Sequence, residues 1–540
     1  MATHIRFPGV EIFDLDDPKE REEARAAFTA KGDALLELIF GQQLPDSKSL
    51  VLEREYVDRE YASAYAEFYA RAFHEYRRRT MRFHFFESRI SFRDLLDERL
   101  LAKSYRGYLI ATADPPRVGR SALAPPSTLA DDNAFVLGAG RFEANLCGTN
   151  LTVTGVPFIA QDGRIAACAS AAIWMSARSL SVVSAEGQRL YSEEGARTAS
   201  LSDITKFATH HSLGASGEPL LAPGLNIEQM LVAIRELGYS PVVYAPRDAA
   251  EARDIIYWHV ESQIAPILVV SPRVEGGSEN AGASYHAIVA VGHTYAEEAS
   301  LPEGPTLDIT SSRWVPRFIC HDDQMGPYHT FSVEDHSGEQ GETVPHIIVE
   351  STGNGPSVFG HDWFYHQPAE LSYIVVPLPN RVFLRAEDAE QKARDLLEIA
   401  YVEHGVLLPP RRVFRSYLTR ANSFKHRLHA EATPGLSREL AELYRGRLLP
   451  RFVWVVELMS LEGRQGKQVG DLRVEADVTI DATSGTDRLD FVTMRIPGFF
   501  MAMNPEEVTV IPAIRDRAVV AQQEPFASLV REPAGRDYLP

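Results

Sequence analysis

The sequence predicts an α+β protein in three parts. Residues 1–130 read as a mainly helical N-terminal region, 131–378 as a mixed domain, and 379–540 as a small α+β C-terminal domain. Three observations predict this. The first part carries aromatic and acidic residues at helical spacing. The middle holds a series of short apolar runs of strand length, and from about residue 379 helix and strand patterns start again. The chain has 540 residues, which at about 150 per domain implies more than one core.

Taken in order, Asp17-Pro18 marks a helix start, with Glu20, Glu22 and Glu23 where the helix dipole favours acids. Residues 53–79 are predicted as a second helix, because Tyr61, Tyr65, Phe68, Tyr69, Phe73 and Tyr76 recur every three or four residues. Such a stripe is expected to be a buried helix face. MRFHFF and SYRGYLIATA then read as strands. In the middle region AACASAAIWMSARSL reads as a buried helix of small residues. LNIEQMLVAIRELGY is an amphipathic helix with Gly238 at its C-terminus. SPVVYAP, APILVVS, HAIVAVGHTY, RFICHD and PHIIVES read as strands, with a glycine-rich loop over 275–284 ahead of His286. In the last part AEDAEQKARDLLEIAYVEHG and LSRELAELYRG read as helices. FVWVVELM and DLRVEADVTIDATS read as strands, joined by a turn-rich stretch at 461–468.

Composition narrows the function. With 55 Lys and Arg against 74 Asp and Glu the formal net charge is −19, so a nucleic-acid partner or an anionic membrane surface is not expected. No run of about 18 apolar residues offers a membrane-spanning helix, and the N-terminus lacks a signal-peptide pattern. Three cysteines in so long a chain are not a disulfide framework, and without a CxxC pair they suggest no structural zinc site. A cytoplasmic location with reduced thiols is the expectation.

Cys168 begins the Ala-rich helix, where the dipole favours a thiolate. Gln161, just upstream, carries an amide able to donate to an oxyanion. His286 opens a strongly apolar strand, and a histidine acting as base needs a partner that fixes its tautomer. Asp322 and Asp323 end the RFICHDD strand and supply that carboxylate. Asp322 is the first choice because it directly follows the strand, and alternation predicts that only one of the two faces His286. His321, Asp322, Asp323 and His329 also form a cluster that a divalent metal could use. Cys320 reads as core. His210 and His211 read as solvated loop residues, and glycine-rich 351–360 lacks a nucleotide-binding pattern.

Together, Gln161 in FIAQDG, Cys168 in AACASAAIWM, His286 in SYHAIVAVG and Asp322 in ICHDDQMGPY resemble the papain-like cysteine peptidases. The resemblance is nearest to the bacterial peptidases that trim double-glycine leaders, and covers only the middle of the chain. It implies a papain-like central domain and a cysteine peptidase or amide or isopeptide hydrolase with no cofactor. Cys168 would be the nucleophile, His286 its base, Asp322 the orienting acid and Gln161 the oxyanion donor. The implied partner is a protein or peptide substrate, with flanking regions free to hold a protein partner. Two alternatives stay open: a non-catalytic binding protein on the same scaffold, and an acyltransferase with the same triad. A metal-dependent hydrolase around His321 and Asp323 is a further one, separable by its sensitivity to chelators.

Overall fold

The computed structural model describes the chain apart from residues 1–8, 29–33, 72, 114–115, 133, 161–167, 182–198, 210–224, 273–284, 297–303, 338–342, 351–367, 428–437, 461–472, 486–490, 505–506, 513–525 and 528–540. Among the described residues, three sheets organise the chain. The first is antiparallel and seven-stranded, in the spatial order Val10–Asp14, Ser49–Tyr56, Thr80–Phe86, Tyr105–Ala113, Pro116–Leu123, Thr149–Ile159 and Gly140–Leu146.

This sheet overturns the expectation of a mainly helical N-terminal region. The molecule is sheet-rich, and short helices such as Pro18–Phe28 and Ala34–Gln43 accompany the first sheet rather than build the region. The predicted helix over 53–79 is divided. Ser49–Tyr56 is a strand whose first four residues are buried, and only Arg59–Glu67 forms an α-helix, capped by the Asp58 carboxylate accepting from the Tyr61 N–H. The aromatic stripe is not a buried face either. Tyr61 lies 6.2 Å from Tyr65 and 5.8 Å from Tyr69, ring centre to ring centre, in a half-buried ladder, and Phe73 is exposed. Helical spacing is a local signal, whereas the strand before it is fixed by partners about 30 residues away at Phe83 and Phe85.

The helix start at Asp17-Pro18 forms as read, with the Asp17 carboxylate accepting from the Lys19 and Glu20 amides. Every strand read in the middle region is present. Ile267–Pro272, His286–Thr294, Phe318–Asp322, Gly326–Ser337, Thr343–Glu350 and Ala369–Pro379 pair in sequence, antiparallel. Ile267–Pro272 also pairs with Ala369–Pro379, closing the six into a barrel. Tyr239–Tyr244, following the helix Ile227–Glu236, pairs antiparallel with the C-terminal half of Ala369–Pro379. That helix opens with a capping box on Asn226 and Gln229 and closes at Gly238, whose φ of +94° suits glycine.

The third sheet runs Leu307–Thr310, Arg411–Arg420, Phe452–Ser460, Arg473–Asp481, Thr493–Ile496, Phe499–Asn504 and Glu507–Pro512. Its first pair is parallel and the rest antiparallel. The helix Ala249–Glu261 packs between this sheet and the barrel, and Ala386–Glu403 packs on the sheet and against that helix. Among the described residues no helix is long and apolar enough to cross a membrane.

The helix Cys168–Ser181 positions the site. It is Ala- and Ser-rich, free of Gly and Pro, and buried around most of its circumference. Small side chains let it lie close to both Thr149–Ile159 of the first sheet and His286–Thr294 of the barrel. Its first residue therefore meets the first residue of the histidine strand.

Candidate active site

Three segments converge at the mouth of the barrel. Cys168 is half-buried at the N-terminus of its helix. His286 begins a strand buried along its whole length and is itself 3 % exposed. Asp322 ends the neighbouring strand and is 1 % exposed. The Cys168 thiol donates at 3.9 Å to the carbonyl of Tyr285, the residue before His286, and lies near enough to the His286 ring to help raise its pKa. On the other side of that ring, Nε2 lies 3.0 Å from Asp322 Oδ1. Gln161, the expected oxyanion donor, lies outside the described residues, as do His210, His211 and the stretches 275–284, 351–360 and 461–468.

The turn after the acid strand explains how Asp322 is held. Its Oδ1 accepts from the Gln324 N–H at 2.8 Å and the Met325 N–H at 3.3 Å, beside the bond from His286. The strand pairing shifts register between Cys320 and Asp322. This shift corrects the expectation that only one acid faces His286: Asp323 Oδ1 also stands 3.7 Å from Nε2. Asp322 remains the nearer, hydrogen-bonded partner.

Burial alone would lower the His286 pKa. The adjacent Asp322 carboxylate and the contact with Cys168 overcome that and hold it well above the usual histidine value. Burial would raise Asp322, but His286 and the Gln324 amide pull it below the ordinary carboxylate range. Both directions favour imidazolium against carboxylate. The neutral ring, with its proton on Nε2 facing Asp322, leaves Nδ1 as the base.

Of the predicted metal cluster, His321 and His329 point elsewhere. His321 Nδ1 faces the Pro157 carbonyl at 3.3 Å, its ring edge-on to Tyr328, and His329 Nε2 donates to the Met325 carbonyl at 2.8 Å. The donor atoms of His286, Asp322 and Asp323 do lie within 4.8 Å of one another, a spacing a divalent cation could span, but His286 Nε2 and Asp322 Oδ1 are bonded to each other, which leaves Asp322 Oδ2 as that residue's open donor. Cys320 is core, as read, and fully buried.

Two residues in and just after this turn were not singled out in the sequence. Gln324 places its side-chain amide 3.4 Å from His286 Nδ1. Tyr328, at the unusual φ of +61°, donates its hydroxyl to the Leu123 carbonyl at 2.7 Å and accepts from the Val156 N–H at 2.9 Å. It pins the acid-bearing turn to two strands of the first sheet. The signal available was Gly326-Pro327, which follows the acids after two intervening residues and marks a turn that must be anchored somewhere. Tyr328→Phe leaves a buried N–H and a buried carbonyl without this partner. It should lower stability by about 1–3 kcal/mol, measured by urea unfolding, and slow the site's chemistry through the loosened turn.

A comparison with protein-family models finds no match to this chain, and a comparison with curated proteins finds no similar sequence.

Proposed function

We propose that the protein is a cysteine hydrolase of peptide, isopeptide or amide bonds, acting in the cytoplasm on a protein or peptide substrate. The observation that carries this reading is the buried His286 ring, bonded at Nε2 to Asp322 and in contact with the thiol at the head of the Cys168 helix. That arrangement suits a nucleophile–base–orienting-acid relay. The chain order Cys, His, Asp and the position of Gln161 ahead of the cysteine support kinship with the papain-like peptidases. The flanking sheets offer surface for recognising a protein substrate or partner.

In the proposed reaction the Cys168 thiol passes its proton to His286 Nδ1, and the sulfur attacks the substrate carbonyl carbon. The negative charge collects on the carbonyl oxygen, where Gln161 and the Cys168 N–H would donate to it. The intermediate collapses as the C–N bond breaks, and the Nδ1 proton goes to the leaving amine. Water, losing a proton to His286, then attacks the thioester and releases the acid and the Cys168 sulfur. Asp322 keeps Nε2–H in place throughout.

The test is the rate of Cys168 alkylation by iodoacetamide against pH, located by mass spectrometry, in the parent and in His286→Ala. Rapid alkylation near pH 6 that His286→Ala loses is the expected result. Equal rates in the two proteins would overturn the proposal. So would turnover of a substrate that a chelator abolishes and a thiol reagent leaves intact.

A further inference from the structure

We infer that Gln324 is a positioning residue for His286, its side-chain amide turning to match the protonation of Nδ1 as the ring gains and loses a proton. The inference rests on the thiol-hydrolase reading for its purpose, but on geometry for its content. Asp322 Oδ1 accepts the proton of Nε2, so the neutral ring presents a bare lone pair at Nδ1. Gln324 Nε2 stands 3.4 Å from that nitrogen and can donate to it. The same Asp322 Oδ1 accepts from the Gln324 backbone N–H at 2.8 Å. One carboxylate oxygen thus fixes both the ring and the backbone from which the amide reaches back across it.

The Cys168 thiol is the group that must exchange a proton with the ring, and the ring's other nitrogen is committed to Asp322. Gln324 therefore shares the reactive nitrogen with the nucleophile. When Cys168 transfers its proton, an S–H bond breaks and an Nδ1–H bond forms, and a donor amide can no longer serve that nitrogen. An amide carries an acceptor as well as a donor, and its terminal torsion is broad and nearly two-fold. A half-turn brings Oε1 to Nδ1–H and swings the NH₂ away. Gln324, neither fully buried nor fully exposed, can make that turn. Leucine could serve neither state of the ring, and a carboxylate would serve only the protonated one. Among the described residues the charged and titratable groups facing the ring are Cys168 from its helix and Asp322 and Asp323 from the end of the acid strand.

The experiment compares the parent with Gln324→Glu and Gln324→Leu by ¹⁵N NMR of the histidine rings across pH. The His286 signals are assigned by their loss in His286→Ala. Gln324→Glu is expected to raise the His286 titration midpoint by about one unit or more, because it adds an anion at Nδ1. Gln324→Leu is expected to move the Nδ1 resonance of the neutral ring downfield, as a lost hydrogen bond does. A folded Gln324→Glu protein with the parent's His286 midpoint would overturn the inference, as would an unmoved Nδ1 resonance in Gln324→Leu. If Cys168 alkylation proves identical in the parent and His286→Ala while Gln324→Glu still moves His286, the thiol-hydrolase reading falls and the Gln324 contact stands.

Discussion

Asp322→Asn should cost about 10²–10⁴-fold in turnover of an activated ester such as p-nitrophenyl acetate, and Asp323→Asn far less. The substitution keeps the size of the side chain but removes the charge that balances a buried imidazolium. It also lets the amide present a donor to Nε2, which favours the wrong tautomer at Nδ1. Asp323, 3.7 Å from Nε2 against 3.0 Å for Asp322, adds field without fixing the ring. Equal losses in the two variants would mean that the acids act as a pair.

The same substitution has a signature in stability. His286 is raised above its unfolded value of about 6.5. Its contribution is therefore full below that pH and is lost as pH rises through the raised pKa. Asp322 is lowered beneath its unfolded value of about 3.9, so its contribution is present above that pH and is lost as pH falls through the lowered pKa. These are two ends of one ion pair. The deficit of Asp322→Asn in urea unfolding should be largest between about pH 4 and 6.5 and shrink toward either extreme.

The site and the first region were legible to different degrees for a physical reason. The middle strands are short apolar runs ended by turn residues, and that pattern survives in the linear sequence. His286 and Asp322 sit at strand ends, where a polar residue against an apolar run stands out. The approach of Asp323 was not legible, because it depends on a register shift after Cys320 and so on how two strands pair. The contact from Gln324 was not legible either, because a side chain folding back from a turn leaves no period. In the N-terminal region tyrosines at helical spacing were the stronger local signal, and the partners that make Ser49–Tyr56 a strand lie at Val10–Asp14 and Thr80–Phe86. Strand pairing between distant segments is what a local reading cannot see.

The junction between the barrel and the third sheet carries the largest expected effect on stability. Glu261, the last residue of the helix Ala249–Glu261, accepts from His293 Nε2 of the barrel at 2.7 Å and from Arg415 Nε of the third sheet at 2.7 Å. Arg415 also bonds Glu457, directly opposite on the next strand, at 3.0 Å. All four residues are buried. Burial would raise Glu261, but Arg415 and His293 hold it down at about 2, while burial pushes Glu457 up despite Arg415. Arg415 thus bridges two buried carboxylates, and Arg415→Met takes the guanidinium from both while the His293 bond to Glu261 remains. Removing one partner of a buried pair typically costs about 3–5 kcal/mol, and that loss is expected in urea unfolding at neutral pH. Below about pH 4.3, the unfolded value of Glu261, the parent should lose this contribution as pH falls toward about 2, and the gap between parent and variant should narrow. The double replacement Arg415→Met with Glu457→Gln should recover part of the loss, since it removes one of the two charges that lost the guanidinium. No recovery would place the damage in packing around the guanidinium rather than in charge, and would make the junction a matter of shape.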